Sequence, residues 1–125
     1  MTRHILVVED DEKSRRLLSD VLGYHGYEVS AFETGEKGLE SLRARLPDAA
    51  LLDIQLPGIS GFDVLSEVRA ASATTRLPVV AVTASVMDHD RKKILAAGFD
   101  AYVAKPVNIQ ELLQTLEKLL SKTRA

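Results

Sequence analysis

The chain has 125 residues, of which 46% are hydrophobic and 27% charged, and a formal net charge of −2; this is typical of one soluble globular domain and argues against a basic face that binds nucleic acid. It contains no cysteine, which excludes disulfides, thiolate metal sites and cysteine nucleophiles and suits a reducing cytoplasm. Strand-like sequence begins at His4 and no segment approaches the roughly 20 apolar residues of a membrane span, so we expect a cytoplasmic protein with neither a nucleic-acid nor a membrane partner.

Short apolar runs alternate with longer amphipathic stretches five times along the chain, which favours βαβ units around a parallel sheet. The predicted strands cover residues 4–8, 27–32, 49–53, 78–83 and 101–104. The predicted helices follow them at 12–23, 34–45, 61–71, 88–97 and 108–122. The first, third and fourth strands are apolar nearly throughout, as expected for strands that are covered on both faces. The sequence therefore predicts one α/β domain over residues 1–122, followed by a polar tail at 123–125.

The predicted helices carry apolar stripes with the spacing of one helical face. These stripes comprise Leu17, Leu18, Val21 and Leu22 in the first helix and Leu112, Leu113, Leu116, Leu119 and Leu120 in the last. Asn108 and Glu111 resemble the capping box with which a helix begins. Gly98 stands where the fourth helix would end in a left-handed residue.

Polar side chains follow four of the predicted strands, at the point where each apolar run stops. They are the acidic run Glu9–Asp11, Asp53, Thr83 and Lys105. Because parallel strands present their carboxyl ends at one edge of the sheet, these groups would meet where open α/β sheets bind ligands. Carboxylates, a hydroxyl and an ammonium that converge at that edge would suit a divalent metal and a phosphoryl group.

The acidic run has two explanations. Acidic residues near a helix N-terminus offset the helix dipole, which would account for Asp11 and Glu12. This accounts less well for acids that directly follow an apolar strand, whereas Mg²⁺ prefers such oxygen ligands and needs only one or two carboxylates beside a phosphate oxygen. Both explanations stay open on spacing alone.

Asp53 closes an apolar strand, where a carboxylate either pairs, binds metal or reacts. As a nucleophile toward a phosphoryl group it would form an acyl phosphate; the plain alternative is an aspartate that caps a turn. Lys105 would contact phosphate as a point charge, with Pro106 fixing its direction through a turn whose peptide bond can be cis, and alone it would be a solvated lysine. Thr83 alone would be a β-branched residue at a strand end, and Tyr102 alone a packed aromatic residue with a wet hydroxyl.

In their joint order and spacing, these motifs resemble the receiver domains of two-component response regulators, the CheY-like superfamily, over essentially the whole chain. The segments that carry the resemblance are Ile5–Asp11, Leu51–Gly58 with Gly61 after it, Val82–Ala84 and Ala104–Pro106. The resemblance implies a doubly wound, flavodoxin-like (βα)5 fold with a five-stranded parallel sheet of order 2-1-3-4-5. It also implies a phosphorelay component that is not an enzyme in the usual sense, because such a domain catalyses only its own phosphorylation and dephosphorylation.

The resemblance implies roles for the residues of the predicted pocket. Asp53 would accept a phosphoryl group from a sensor histidine kinase or a histidine phosphotransfer protein, and Lys105 would contact the phosphoryl oxygens. Mg²⁺ would be coordinated by Asp10, Asp53 and the backbone carbonyl of Gln55. Glu9 would act on the metal directly or through water.

The same resemblance implies a switch. Thr83 would donate its hydroxyl to the phosphoryl group and Tyr102 would swing inward as Thr83 moves, so that residues 84–110 would form the face for a downstream protein target. Gln55 and Ser85 stand at variable positions near the path of attacking water, where they would tune the lifetime of the phosphoryl group.

Two other classes of function are alternatives. A phosphorylation-independent protein-binding module would usually lack some of the acidic and lysine positions that are present here. A metal-dependent phosphohydrolase with an aspartyl nucleophile would often carry a second acid where this chain has Gln55, and would need an insert for a substrate lid. The chain limits predict a stand-alone regulator, monomeric or dimeric on phosphorylation, although a receiver cut from a hybrid histidine kinase would look the same.

Overall fold

A computed structural model describes residues 2–84 and 88–122 of the chain. The strands of this part are β1 (His4–Val8), β2 (Glu28–Phe32), β3 (Ala49–Asp53), β4 (Val79–Thr83) and β5 (Ala101–Ala104). The helices are α1 (Glu12–Tyr24), α2 (Gly35–Ala44), α3 (Gly61–Ala70), α4 (Asp88–Ala97) and α5 (Ile109–Lys122). The strands form one parallel sheet with the order β2-β1-β3-β4-β5, which confirms the predicted doubly wound α/β fold.

Helices cover both faces of this sheet. On one face, α1 and α5 pack against the strands through Leu18, Leu22, Leu112, Leu116 and Leu120. On the other face, α2, α3 and α4 pack through Leu39, Leu42, Val64, Leu65, Val68 and Ile94. Every residue of β1, β3 and β4 is buried, as predicted, because strands between two helical layers have no solvent-facing side.

Each element begins and ends within one residue of its predicted limits. Helix α1 begins after Asp11, whose Oδ2 accepts the Ser14 backbone N–H at 2.9 Å, and Asn108 Oδ1 accepts from the Glu111 N–H at 3.0 Å before α5. Gly98 has the positive φ predicted for it, +114°. Among the helices of the described residues, none is both long and apolar enough to cross a membrane.

The predicted apolar stripe of α1 is wrong at one position. Leu18 and Leu22 are buried, but Leu17 is 53% exposed. A helix turns by about 100° per residue, so the residue that precedes Leu18 lies on the side of the helix, where about half of its surface is exposed. An apolar side chain beside a buried one is therefore not evidence that both face the core.

His4 begins β1 at the end of the sheet opposite to the predicted pocket. The side chain is buried, and its Nε2 lies 2.7 Å from the Ser30 hydroxyl oxygen. Burial, and after it the positive charge of Arg45, lowers the pKa of His4 below its ordinary value. The folded protein therefore favours the neutral imidazole.

This preference predicts a pH dependence of stability. As the pH falls below about 6.5, the ordinary histidine pKa, the unfolded chain takes up a proton that folded His4 does not, so stability should decrease. The contribution of one such proton is at most about 1.4 kcal/mol per pH unit. In urea unfolding, the free energy of unfolding of a His4→Gln variant should rise relative to that of the wild type as the pH is lowered from about 7.5 to about 5.5. A difference that does not change with pH would contradict this account.

Candidate functional site

The carboxyl ends of four strands meet at one edge of the sheet and bring the predicted polar residues together. In the sheet register Val8 lies beside Leu52, Asp53 beside Val82 and Thr83 beside Ala104. The residues that end or follow these strands therefore lie at nearly the same height. The convergence expected from the sequence is confirmed.

Three carboxylates form the centre of this edge. Glu9, Asp10 and Asp53 each place a carboxylate oxygen within 4.8 Å of the others. Glu9 is only 1% exposed and Asp53 only 4% exposed, whereas Asp10 faces solvent. The group is thus buried at its base and open at one side, where a ligand can enter.

Lys105 contacts both of the buried carboxylates. Its Nζ lies 2.9 Å from Asp53 Oδ2 and 2.6 Å from Glu9 Oε1. The formal charge of the three carboxylates exceeds that of the one ammonium that contacts two of them. The sequence predicted Lys105 beside Asp53 but gave no signal for its contact with Glu9.

The electrostatics of the pocket favour a further cation. Burial, together with the neighbouring Asp53 carboxylate, raises the pKa of Glu9 to about 7, although Lys105 opposes this rise. Burial alone would lower the pKa of Lys105, but its hydrogen bonds with Glu9 and Asp53 raise it overall. A bound cation would offset the repulsion among these acids and stabilise Glu9 in its ionised form. Since the three carboxylates offer oxygen atoms as ligands, the site fits a hard divalent ion such as Mg²⁺.

The backbone after β3 holds the Asp53 side chain in place. The Gln55 N–H donates to Asp53 Oδ1 at 3.0 Å, while the Ile54 N–H donates to the Val82 carbonyl at 3.2 Å. The Gly61 N–H donates back to the Ile54 carbonyl at 3.0 Å. The carboxylate is therefore fixed at one oxygen by a backbone amide and at the other by Lys105.

The loop after β3 passes so close to α3 that only glycine fits at position 61. A Cβ on Gly61 would lie 2.4 Å from the Asp53 carbonyl oxygen and 2.8 Å from the Ile54 Cα. Both atoms belong to the backbone, which cannot rotate away as the end of a side chain can. Gly61 thus sets the path of the chain that carries Asp53.

Thr83 and Tyr102 lie on the same face of the sheet. Tyr102 pairs in register with Ala81, two residues before Thr83, so the alternation of a strand directs both side chains toward α4. Thr83 is 4% exposed and its carbonyl accepts the Lys105 N–H at 2.8 Å. Tyr102 is half-buried, with the Arg91 guanidinium carbon 5.6 Å from its ring centroid.

The remaining predictions about this edge have different outcomes. The Lys105–Pro106 peptide bond is cis, as the turn chemistry allowed. Ser85 lies outside the described residues, as does part of the predicted target-binding face. The role of the Gln55 carbonyl stays a prediction.

Sequence reasoning missed one residue that supports the acidic group. Arg15 of α1 donates from one terminal nitrogen to the Glu9 carbonyl at 3.0 Å and the Asp10 carbonyl at 3.3 Å. Its only signal in the sequence is an arginine placed near the start of a helix, where the dipole disfavours a cation.

Comparisons with known proteins decide the family. A sequence model of the response regulator receiver domain matches residues 5–117. The chain belongs to the receiver domains. A curated relative of this receiver domain, the polar-differentiation response regulator DivK of Brucella ovis, is 34% identical over 120 residues, which cover 96% of this chain and 98% of DivK.

Solved structures agree with the sequence relatives. A CheY-like response regulator receiver domain protein from Methanospirillum hungatei is 30% identical, with a TM-score of 0.89 and coverage of 98% of this chain and 96% of that one. The receiver domain of the sensor histidine kinase PA1611 from Pseudomonas aeruginosa is 31% identical, with a TM-score of 0.89 and coverage of 97% and 99%. That protein was crystallised with a magnesium ion coordinated in its active-site cleft.

The family assignment fixes the general function. This receiver domain is a component of two-component signalling, in which histidine kinases or phosphotransfer proteins are the general partners of such domains. The family assignment therefore favours the signalling function over the phosphohydrolase that was an alternative on the sequence alone.

Proposed function

We propose that Asp53 of this receiver domain accepts a phosphoryl group from a phosphohistidine donor in a Mg²⁺-dependent reaction. One observation carries the proposal: the buried Asp53 carboxylate is held by Lys105 Nζ at 2.9 Å and the Gln55 N–H at 3.0 Å, with Glu9 and Asp10 oxygens within 4.8 Å. The donor would be a sensor histidine kinase or a histidine phosphotransfer protein.

The chain's own residues account for each part of the transfer. An Asp53 carboxylate oxygen forms a bond to phosphorus while the phosphorus–nitrogen bond of the donor breaks and its electron pair leaves with the imidazole. Lys105, which starts on the carboxylate, moves its contact to a phosphoryl oxygen as charge shifts outward. Because phosphoryl transfer needs little beyond position and charge, no further general base is required at Asp53.

Mg²⁺ fits this site and would be held by Glu9, Asp10, Asp53 and the Gln55 carbonyl. When bound, it supplies positive charge that neutralises the phosphoryl oxygens. Water would later attack the acyl phosphate, and the domain would thus catalyse only its own phosphorylation and dephosphorylation. The exposed side chain of Gln55 and that of Ser85 would influence the lifetime of the acyl phosphate.

The proposed reaction has a direct test in the intact protein mass. After incubation with acetyl phosphate or phosphoramidate, the chain should gain one phosphoryl group when Mg²⁺ is present and little when EDTA replaces it. A chain that gains none from either donor, and also binds no Mg²⁺, would contradict the proposal and favour a protein-binding module that does not use phosphorylation.

Thr83 and Tyr102 form the proposed switch that reports the phosphoryl group to residues 84–110, the face for a downstream target. A hydrogen bond from a hydroxyl to a charged phosphoryl group is worth about 1.5–3 kcal/mol. A bias of that size shifts a two-state equilibrium roughly tenfold to a hundredfold. Their shared sheet face and the burial of Thr83 support this pairing.

A Thr83→Ala variant should accept the phosphoryl group but fail to transmit it. Because the hydroxyl is lost, we expect phosphorylation to cause much smaller NMR shift changes at the Tyr102 ring and in β5, and target affinity to fall roughly tenfold or more. Thr83→Ser is the matched control, since it keeps the hydroxyl. Equal shift changes in the alanine and serine variants would rule out this role for Thr83.

The setting of the domain belongs to the same proposal. We place it in the cytoplasm, with the receiver fold spanning residues 1–122 and a polar tail at 123–125, as a regulator that is monomeric or dimerises on phosphorylation. A receiver from a hybrid histidine kinase is the alternative, and the PA1611 domain is a relative that belongs to a sensor histidine kinase.

A further inference from the structure

At the end of β1 the backbone must hold the Glu9 and Asp10 side chains toward the Asp53 carboxylate. This backbone is tied to the sheet by the Glu9 N–H, which donates to the Phe32 carbonyl at 3.0 Å. The Asp11 N–H donates to Glu9 Oε2 at 3.1 Å. Neither bond fixes the carbonyl side of the peptides that carry Glu9 and Asp10.

Arg15 supplies that missing restraint. Its guanidinium donates to the carbonyls of both Glu9 and Asp10, at 3.0 and 3.3 Å. Both bonds come from the same terminal nitrogen, whose two N–H groups keep a fixed direction because the guanidinium is planar, whereas the donors of a lysine ammonium rotate about its last bond. Because a cation near the start of a helix opposes the helix dipole, the stability of α1 does not explain an arginine at this place.

We propose that Arg15 is a positioning residue for the Mg²⁺ site, and this inference rests on the proposed function. By holding the two peptide planes, Arg15 keeps the Glu9 and Asp10 carboxylates directed at Asp53 despite their mutual repulsion. Arg15 would contact neither Asp53 nor the metal itself. Residues that orient ligands in this way commonly change metal affinity by about 10- to 100-fold when they are replaced.

The charge of Arg15 and its positioning role predict opposite results. A positive charge near the site repels Mg²⁺, so removing that charge alone should tighten binding slightly. Removing the restraint on the carbonyls should instead weaken binding, because the carboxylates are free to move apart. Arg16 is the matched control: it is exposed, carries the same charge one residue later, and makes no hydrogen bond to the acidic run among the described contacts.

The test is the Mg²⁺ affinity of the unphosphorylated protein, measured by isothermal titration calorimetry on the wild type and three variants. Arg15→Met should bind about tenfold more weakly, Arg15→Lys should fall between it and the wild type, and Arg16→Met should bind equally or slightly more tightly. Urea unfolding confirms that each protein is folded under the titration conditions, and Arg15→Gln replaces the methionine variant if that one is not.

The outcomes separate the inference from the function on which it rests. Arg15→Met binding as tightly as Arg16→Met would overturn the positioning role and leave the proposed function intact. A wild-type protein that binds no Mg²⁺ would overturn both. In the ion-free proteins, amide NMR shifts of Glu9 to Asp11 should change in Arg15→Met and stay near wild type in Arg16→Met.

Discussion

An Asp53→Asn variant should gain no phosphoryl group under any condition in which the wild type gains one. The neutral amide is nearly the same size as the carboxylate but lacks the nucleophilic oxygen that would form the bond to phosphorus. The fold should persist, since the Asn oxygen can still accept the Gln55 N–H that now reaches Asp53 Oδ1. The measurement is intact-protein mass after incubation with acetyl phosphate and Mg²⁺.

The matched control for that variant is Asp11→Asn. Asp11 lies next to Asp10 in the acidic run, but its carboxylate accepts the Ser14 N–H at the start of α1, and asparagine caps a helix about as well as aspartate. This variant should retain most of the phosphorylation. Equal phosphorylation of the Asp53→Asn protein and the wild type would mean that another residue accepts the phosphoryl group.

The second large effect is expected from Gly61→Ala, which should destabilise the protein by about 1–3 kcal/mol or more. The added Cβ would overlap backbone atoms of Asp53 and Ile54, at 2.4 and 2.8 Å, so the loop after β3 or the start of α3 must move. Because this loop carries Asp53, the phosphorylation rate should fall as well. Thermal or urea unfolding measures the first effect and mass spectrometry the second.

Gly23→Ala is the control for the second prediction. Gly23 lies in the last turn of α1, and a Cβ there would meet nothing within 4 Å. Alanine is favoured over glycine inside a helix by about 0.5–1 kcal/mol, so this variant should be as stable as the wild type or more stable. If Gly61→Ala matched it in stability, the close approach at Gly61 would not constrain the loop.

Much of the fold follows from local sequence signals. Apolar runs of strand length predict β1, β3 and β4 because these strands are buried on both faces, and helix caps such as Asn108 mark where helices begin. Leu17 shows the limit of this reasoning, since an apolar residue next to Leu18 was assigned to the same buried stripe although it is exposed. The residue types within one turn of a helix do not indicate which of two adjacent leucines faces the sheet.

The site was predictable for a different reason. The ends of parallel strands must share one edge, so Glu9, Asp53 and Lys105 could be placed together before any distance was known. The contacts within that edge could not be placed, because they depend on side-chain conformations and loop paths. The Lys105–Glu9 ion pair, the Arg15 hydrogen bonds and the Arg91–Tyr102 contact all join residues with no local pattern.

The central claim is that the phosphoryl group is carried by Asp53, and chemical trapping tests it most directly. Borohydride reduces an acyl phosphate to an alcohol, which converts the modified aspartate to homoserine, and peptide mass spectrometry then locates that residue. We expect homoserine at position 53, formed only in protein that was phosphorylated in the presence of Mg²⁺. Homoserine at another acidic position, or a phosphoryl group that remains on a histidine, serine or threonine, would contradict it.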